Sequence, residues 1–140
     1  MLCLALTVAL SLFAIAGLHL FWGFGGQWGA RATLPKKPDG TLLFRPGIAA
    51  CFVVAAGLGA MAWLVLAQRG IVASPLTMAW SVKLHWAFAA IFALRCLGDF
   101  KYVGLFRRVR GTDFAVMDAK FFTPLCALYA VAFVALSLKS

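Results

Sequence analysis

Acidic residues are scarce in this chain, and so is charge of any kind. The 140 residues include four Asp+Glu against thirteen Lys+Arg, and 12% of the residues are charged while 64% are hydrophobic. A soluble domain carries about a quarter charged residues and under half apolar ones. The composition therefore excludes a soluble globular domain, and the high hydrophobicity excludes a disordered chain.

Paired cysteines and the common catalytic motifs are missing too. The four cysteines form no CxxC pair and each falls in an apolar run, where cysteine usually packs as a small hydrophobe. The chain has no HExxH, no phosphate-cradling glycine loop after a strand and no paired carboxylates within an apolar run. The sequence therefore excludes a disulfide framework and favours a protein that is not an enzyme, without deciding that point.

Long apolar runs are what the sequence has in abundance. A helix needs about 20 mainly apolar residues to cross a hydrocarbon core of ~30 Å. Four stretches meet this length, at about 3–25, 47–67, 76–97 and 121–138. We therefore predict an all-α polytopic membrane protein with four transmembrane helices in a compact bundle, forming one domain over residues 1–140. No cation precedes the first run, so we expect a retained helix rather than a cleaved signal peptide.

The basic residues are concentrated in two of the three predicted connections. The first connection contains Arg31, Lys36, Lys37 and Arg45, and the third contains Lys101, Arg107, Arg108, Arg110 and Lys120. The opposite side has Arg69 and Lys139. Because cytoplasmic loops carry the excess of Lys and Arg, we expect both basic connections in the cytoplasm and both termini outside.

Two short matches indicate a tandem repeat of helical hairpins. Leu18-His19 is matched by Leu84-His85, and Phe44-Arg45-Pro46 is matched by Phe122-Thr123-Pro124. Each half would then be a helix, a basic connection and a returning helix. Matches this short also arise by chance in apolar sequence, so the repeat and its absence both remain open.

The third connection is the most distinctive segment and contains most of the candidate ligand-binding residues. Arg95 and Asp99 are four residues apart and are expected to pair on one helix. Thr112 or Asp113 is expected to begin a short helix that runs through Asp118. Acidic residues placed among cations indicate a pocket for an anionic headgroup or a ligand phosphate. The candidate residues are Arg95, Asp99, Lys101, Arg107, Arg108, Arg110, Asp113 and Asp118. An equally weighted alternative is a loop that aromatic side chains anchor at the headgroups.

The two histidines are candidates for a metal or haem site. If the first helix continues past its glycine cluster, His19 and His85 lie at one depth, as bis-histidine haem ligation requires. If the helix ends at Gly23–Gly26, the two residues differ in depth by about 10 Å. Both registers fit the sequence, and a buried neutral histidine bonded to a carbonyl is the commoner outcome. No cofactor is therefore predicted, and haem or a metal is the minority interpretation.

The run RCLGDFKYVGLFRRVRGTDFAVMDAKFFTPLC, residues 95–126, carries a resemblance to a known family. It resembles the signature region of small bacterial four-helix membrane proteins that are classified as a domain of unknown function. The resemblance implies the fold and a location in the bacterial inner membrane. It implies no catalytic residues.

The leading functional hypothesis is a non-catalytic multi-pass inner-membrane protein. It would bind a lipid or a small anionic ligand at its cytoplasmic face, or assist a membrane complex. The alternative is a membrane oxidoreductase or electron carrier that uses His19 and His85. The expected partners are anionic lipids, with a second copy or a membrane partner left open, and nucleic acid is not expected.

Overall fold

The computed structural model describes residues 1–138, apart from the side chain of Arg31. Lys139, one of the two basic residues predicted on the outer side, lies outside the described residues. Within residues 1–138 no strand forms, although one isolated bridge joins Lys36 and Leu42. The predicted all-α class is confirmed.

Four long helices and two short ones make up the fold. They are α1 (Leu2–Gly23), α2 (Ala30–Thr33), α3 (Ile48–Gln68), α4 (Met78–Leu97), α5 (Asp113–Met117) and α6 (Thr123–Leu138). A π-helical segment, Asp118–Phe122, joins α5 to α6, so the last helical stretch is continuous from residue 113. The predicted span 121–138 is therefore part of a longer helix that begins eight residues earlier.

Three helical stretches of the described chain are long and apolar enough to cross a membrane. They are Leu2–Gly23, Ile48–Gln68 and Asp113–Leu138, with mean hydropathies of 2.2, 2.3 and 2.1. Helices of this length and composition, in a chain with so little charge, indicate a membrane protein. Helix α4 is 20 residues long but is less apolar.

The long helices pack as two hairpins. Helix α1 packs mainly on α3, and α4 packs mainly on α6. Gly23 at the end of α1 lies against Cys51 and Phe52 at the beginning of α3, so the first hairpin is antiparallel. The absence of a side chain at Gly23 permits this approach, because a Cβ there would lie 3.3 Å from the Phe52 ring.

A shared core joins the hairpins. Leu12 of α1, Val65 of α3, Phe92 of α4 and Phe133 of α6 belong to one buried cluster. Burial in α1 follows the helical period, through Ala5, Val8, Ala9, Leu12 and Ala16. The Tyr129 hydroxyl of α6 donates to Ser11 Oγ of α1 at 2.9 Å. These contacts set the two hairpins side by side and bring their connections to one end.

Candidate anion-binding site

The chain that leaves α4 turns back on the end of that helix. Gly98 and Gly104 have φ values of +84° and +86°, which side chains rarely permit. A Cβ on Gly104 would lie 2.6 Å from the Cα of Gly98 and 2.6 Å from the carbonyl oxygen of Leu97. The Leu105 N–H donates to the Cys96 carbonyl at 2.8 Å and closes the loop. Two glycines in backbone contact therefore fix the shape of this loop.

Asp99 stabilises the loop from within. Its Oδ1 accepts hydrogen bonds from the backbone N–H groups of Lys101, Tyr102 and Val103, at 2.9, 2.7 and 2.9 Å. Slight desolvation raises the pKa of Asp99, but the three hydrogen bonds together outweigh it and hold the pKa below its ordinary value of 3.8. The carboxylate is thus a structural part of the loop.

We expect Asp99 to make stability depend on pH in the acid range. Because the folded pKa is depressed, its contribution is fully present above about pH 4 and is lost as pH falls through the folded pKa. Thermal unfolding of purified protein between pH 6 and pH 3 should show Asp99→Asn less stable than wild type at pH 6, with the gap narrowing below pH 4. A gap that stays constant down to pH 3 would contradict this assignment.

A second carboxylate, Asp118, lies at the centre of the region and is fully buried. Arg95 Nη2 donates to Asp118 Oδ1 at 2.7 Å. Asp118 Oδ2 accepts from the Gly104 N–H at 2.8 Å, from Thr123 Oγ1 at 3.1 Å and from Arg107 Nη1 at 3.3 Å. The side chain of Asp118 is therefore hydrogen-bonded to α4, to the loop and to the beginning of α6.

The π-helical segment explains the contact between Asp118 and Thr123. In a π-helix residue i bonds to residue i+5, so side chains five positions apart come onto one face. Pro124 has no N–H and cannot donate to the carbonyl four residues earlier, which favours this departure from α-helical geometry.

The site has more positive than negative charge. Two guanidinium groups, those of Arg95 and Arg107, share the single carboxylate of Asp118. In the described part of the chain, Arg95 Nη1 and Arg107 Nε are buried and have no hydrogen-bond acceptor. Arginine N–H groups in pairs are well suited to binding carboxylate or phosphate oxygens. Each of the two guanidinium groups therefore has an N–H donor that the carboxylate of Asp118 does not use.

The structure does not pair Arg95 with Asp99, as the spacing had predicted. That pairing needs α4 to continue through Asp99, but the left-handed backbone of Gly98 ends the helix after Leu97. Arg95 bonds to Asp118 instead, which is 23 residues away in sequence. This expectation was wrong because the helix ends two residues before Asp99.

The other predicted site residues lie around this centre. Asp113 pairs with Lys36 of the first connection at 2.9 Å, and so joins the two basic connections. The predicted cap is confirmed, since Thr112 Oγ1 accepts from the Ala115 N–H at 3.2 Å. Exposed cations surround the site on the loop, namely Lys101, Arg108 and Arg110.

Sequence reasoning missed three participants. Gly104 and Thr123 hydrogen-bond to Asp118, and Lys36 is the partner of Asp113. The sequence held no specific signal for the Gly104 N–H, whereas Pro124 next to Thr123 indicates a departure from regular helix geometry. The sequence held no signal for Lys36, which is 77 residues away from Asp113.

A groove opens beside the charged centre, between the end of α4 and the beginning of α6. Its volume is about 210 Å³. Arg107 and Thr123 supply its polar wall, and Cys96, Leu105, Pro124 and Ala127 supply most of its apolar wall.

His19 and His85 lie at different distances from the ends of their helices. His19 is about one turn before the end of α1, and His85 is about three turns before the end of α4. Each Nδ1 lies within hydrogen-bond distance of the carbonyl four residues earlier, in Ile15 and Ser81. Among the described residues no group of three or more His, Cys, Asp or Glu could hold a metal. The bis-histidine site stays a prediction from the sequence.

Comparison with known proteins identifies a family and no function. No curated protein and no solved structure matches the chain significantly. The family described as a protein of unknown function, DUF3995, matches over residues 12–133. This match spans α3, α4, the second half of α1, most of α6 and the whole candidate site. The chain therefore belongs to the DUF3995 family, which confirms the resemblance to a family classified as a domain of unknown function.

Proposed function

We propose that α4 is a fourth membrane span, with both basic connections in the cytoplasm of a bacterium and both termini outside. The charged residues of α4 lie near its ends, where side chains can reach the interface. Lys83 Nζ lies 4.7 Å from the centre of the exposed Trp80 ring near one end, and Arg95 is in the last turn at the other. Aromatic rings and snorkelling cations at this depth are typical of membrane interfaces.

The two hairpins also support a tandem arrangement in this proposal. Each hairpin has a basic connection; the first contains the separate short helix α2, whereas in the second hairpin α5 continues without a break into α6. The helices differ in register, however, because His19 lies closer to the end of its helix than His85 does. We therefore propose a repeat of the hairpin architecture, without equivalent positions for the two histidines.

At the cytoplasmic face, the proposed function is binding of a phosphate-bearing anion, without catalysis. The observation that carries it is the pair Arg95 and Arg107 on one buried carboxylate, with guanidinium donors still unused. Asp118 holds both cations in place before the ligand arrives, so little ordering is needed on binding. The exposed cations nearby attract anions toward the site.

The test measures binding of two phosphate probes to detergent-purified protein, phosphatidylglycerol and glycerol 3-phosphate. Arg107→Gln removes a donor and a charge, so we expect at least tenfold weaker binding of any probe that wild type binds. Arg108→Ala removes an exposed cation, and such a cation contributes about 1 kcal/mol to binding near an anionic surface. We therefore expect Arg108→Ala to bind phosphatidylglycerol about fivefold more weakly than wild type does. Native mass spectrometry would measure how much phosphatidylglycerol is bound at each lipid concentration. Calorimetry would measure the affinity for glycerol 3-phosphate.

Lys83→Ala is the matched control, because it removes one exposed cation at the opposite end of α4. It should bind both probes as wild type does. Circular dichroism would confirm that each variant is folded at the temperature of the assay. Wild-type affinity for both probes in folded Arg107→Gln would refute the proposed function.

A further inference from the structure

The groove beside Arg107 has polar lining residues next to the buried carboxylate and an apolar wall that continues along α6. Arg107 and Thr123 line it beside the buried carboxylate. Ala127 lines it one turn further along α6, about 6 Å deeper along the helix axis. In the proposed topology this direction leads from the cytoplasmic surface into the membrane.

The apolar wall is contributed by both helices and the loop. Cys96 belongs to the last turn of α4, Pro124 and Ala127 belong to α6, and Leu105 covers the groove from the loop. These side chains can offer a ligand apolar contact but no charge. A small soluble phosphate would bind to the guanidinium donors alone and would make no contact with this apolar wall.

We infer that the groove holds an acyl chain, so that the ligand of the site is an anionic glycerophospholipid of the surrounding membrane. This inference rests on the proposed function, because it takes the headgroup phosphate to bind at Arg95 and Arg107. Two features of the groove match two parts of one molecule: the cation Arg107 beside the buried carboxylate, and an apolar wall that continues one turn along α6. Burial of each methylene adds affinity that a free phosphate cannot gain.

The first test varies the ligand and leaves the protein unchanged. Wild-type protein should bind dihexanoyl phosphatidylglycerol at least tenfold more tightly than glycerol 3-phosphate, with further gain for longer chains. Phosphatidylcholine of the same chain length should bind at least tenfold more weakly than phosphatidylglycerol, because its headgroup has no net charge. Equal affinity for glycerol 3-phosphate and the short-chain lipid would overturn the inference and leave anion binding intact.

The second test fills the groove. Ala127→Phe should weaken binding of phosphatidylglycerol at least tenfold and leave the affinity for glycerol 3-phosphate within twofold of wild type. The matched control is Leu128→Phe, at an exposed position of the same helix that does not line the groove. If Ala127→Phe does not fold, the smaller change Ala127→Leu decides the point, because it still adds volume to the same part of the groove.

The outcomes separate the two claims. Unchanged phosphatidylglycerol binding in folded Ala127→Phe or Ala127→Leu overturns the acyl-chain assignment, while Arg107→Gln still tests the anion site. Unchanged binding of both probes in Arg107→Gln defeats the proposed function itself. Weaker phosphatidylglycerol binding in both the groove variant and the Leu128→Phe control also overturns the assignment, since the effect would then not belong to the groove.

Discussion

Replacing Asp118 with alanine is expected to lower the free energy of unfolding by about 3 kcal/mol. The carboxylate accepts hydrogen bonds from Arg95, Arg107, Gly104 and Thr123, and it is fully buried. Removing one partner of a buried ion pair leaves charge without compensation and typically costs about 3–5 kcal/mol. The lower end applies here, because about a third of the Arg95 side chain is exposed to solvent. Chemical unfolding in detergent, followed by circular dichroism, would measure the loss.

Two further variants show what the loss depends on. Asp118→Asn keeps an oxygen acceptor but removes the charge, so its loss should be smaller than that of Asp118→Ala. Asp113→Ala breaks the pair with Lys36, in which the Asp113 side chain is 82% exposed, and should leave the unfolding free energy close to that of wild type, because pairs screened by solvent contribute little. Equal losses in Asp113→Ala and Asp118→Ala would contradict a central role for the buried carboxylate.

Gly104→Ala is expected to be similarly damaging, with a loss of about 3 kcal/mol. Its φ of +86° is strained for any residue with a Cβ, at roughly 1–2 kcal/mol. The new Cβ would also meet backbone atoms of Gly98 and Leu97 at 2.6 Å, which cannot rotate aside, and overpacking adds roughly 1–3 kcal/mol. The displaced loop would move the Gly104 N–H away from Asp118. Anion binding should therefore weaken together with stability.

Gly111→Ala is the matched control, since it makes the same chemical change in the same connection. No atom lies within 4 Å of a Cβ placed there, and the φ of Gly111 is not positive. Stability and binding should stay close to those of wild type. If Gly104→Ala were as mild as Gly111→Ala, the close approach of Gly98 and Gly104 would not be what shapes the site.

The sequence predicted the components of the site better than their pairing. Arg95, Arg107 and Asp118 were all candidates, because charged residues beside apolar spans are rare and costly. The expected partner of Arg95 was Asp99, since spacing on an ideal helix was the available guide. A left-handed glycine ends α4 before that geometry forms, and Asp99 accepts backbone N–H groups of the loop instead.

Thr123 shows why local geometry could not be predicted from spacing alone. Five positions from Asp118, it would point elsewhere on a regular α-helix. The π-helical segment Asp118–Phe122 brings its hydroxyl to the carboxylate. The π-helical segment depends on two effects together. Pro124 lacks the N–H that a regular helix would use, and the buried carboxylate of Asp118 needs hydrogen-bond donors around it.

By itself, the sequence determined the helical class and the membrane-span character. It also determined the approximate bounds of the long helices, because length and hydrophobicity act locally along the chain. Only the tertiary structure decided which cation meets which carboxylate, since Arg95, Arg107 and Asp118 come together through a folded loop. It likewise placed a groove beside that charge and ended α1 at Gly23, which sets the position of His19 relative to the helix end. These features depend on contacts between residues distant in sequence, and neither composition nor spacing encodes such contacts.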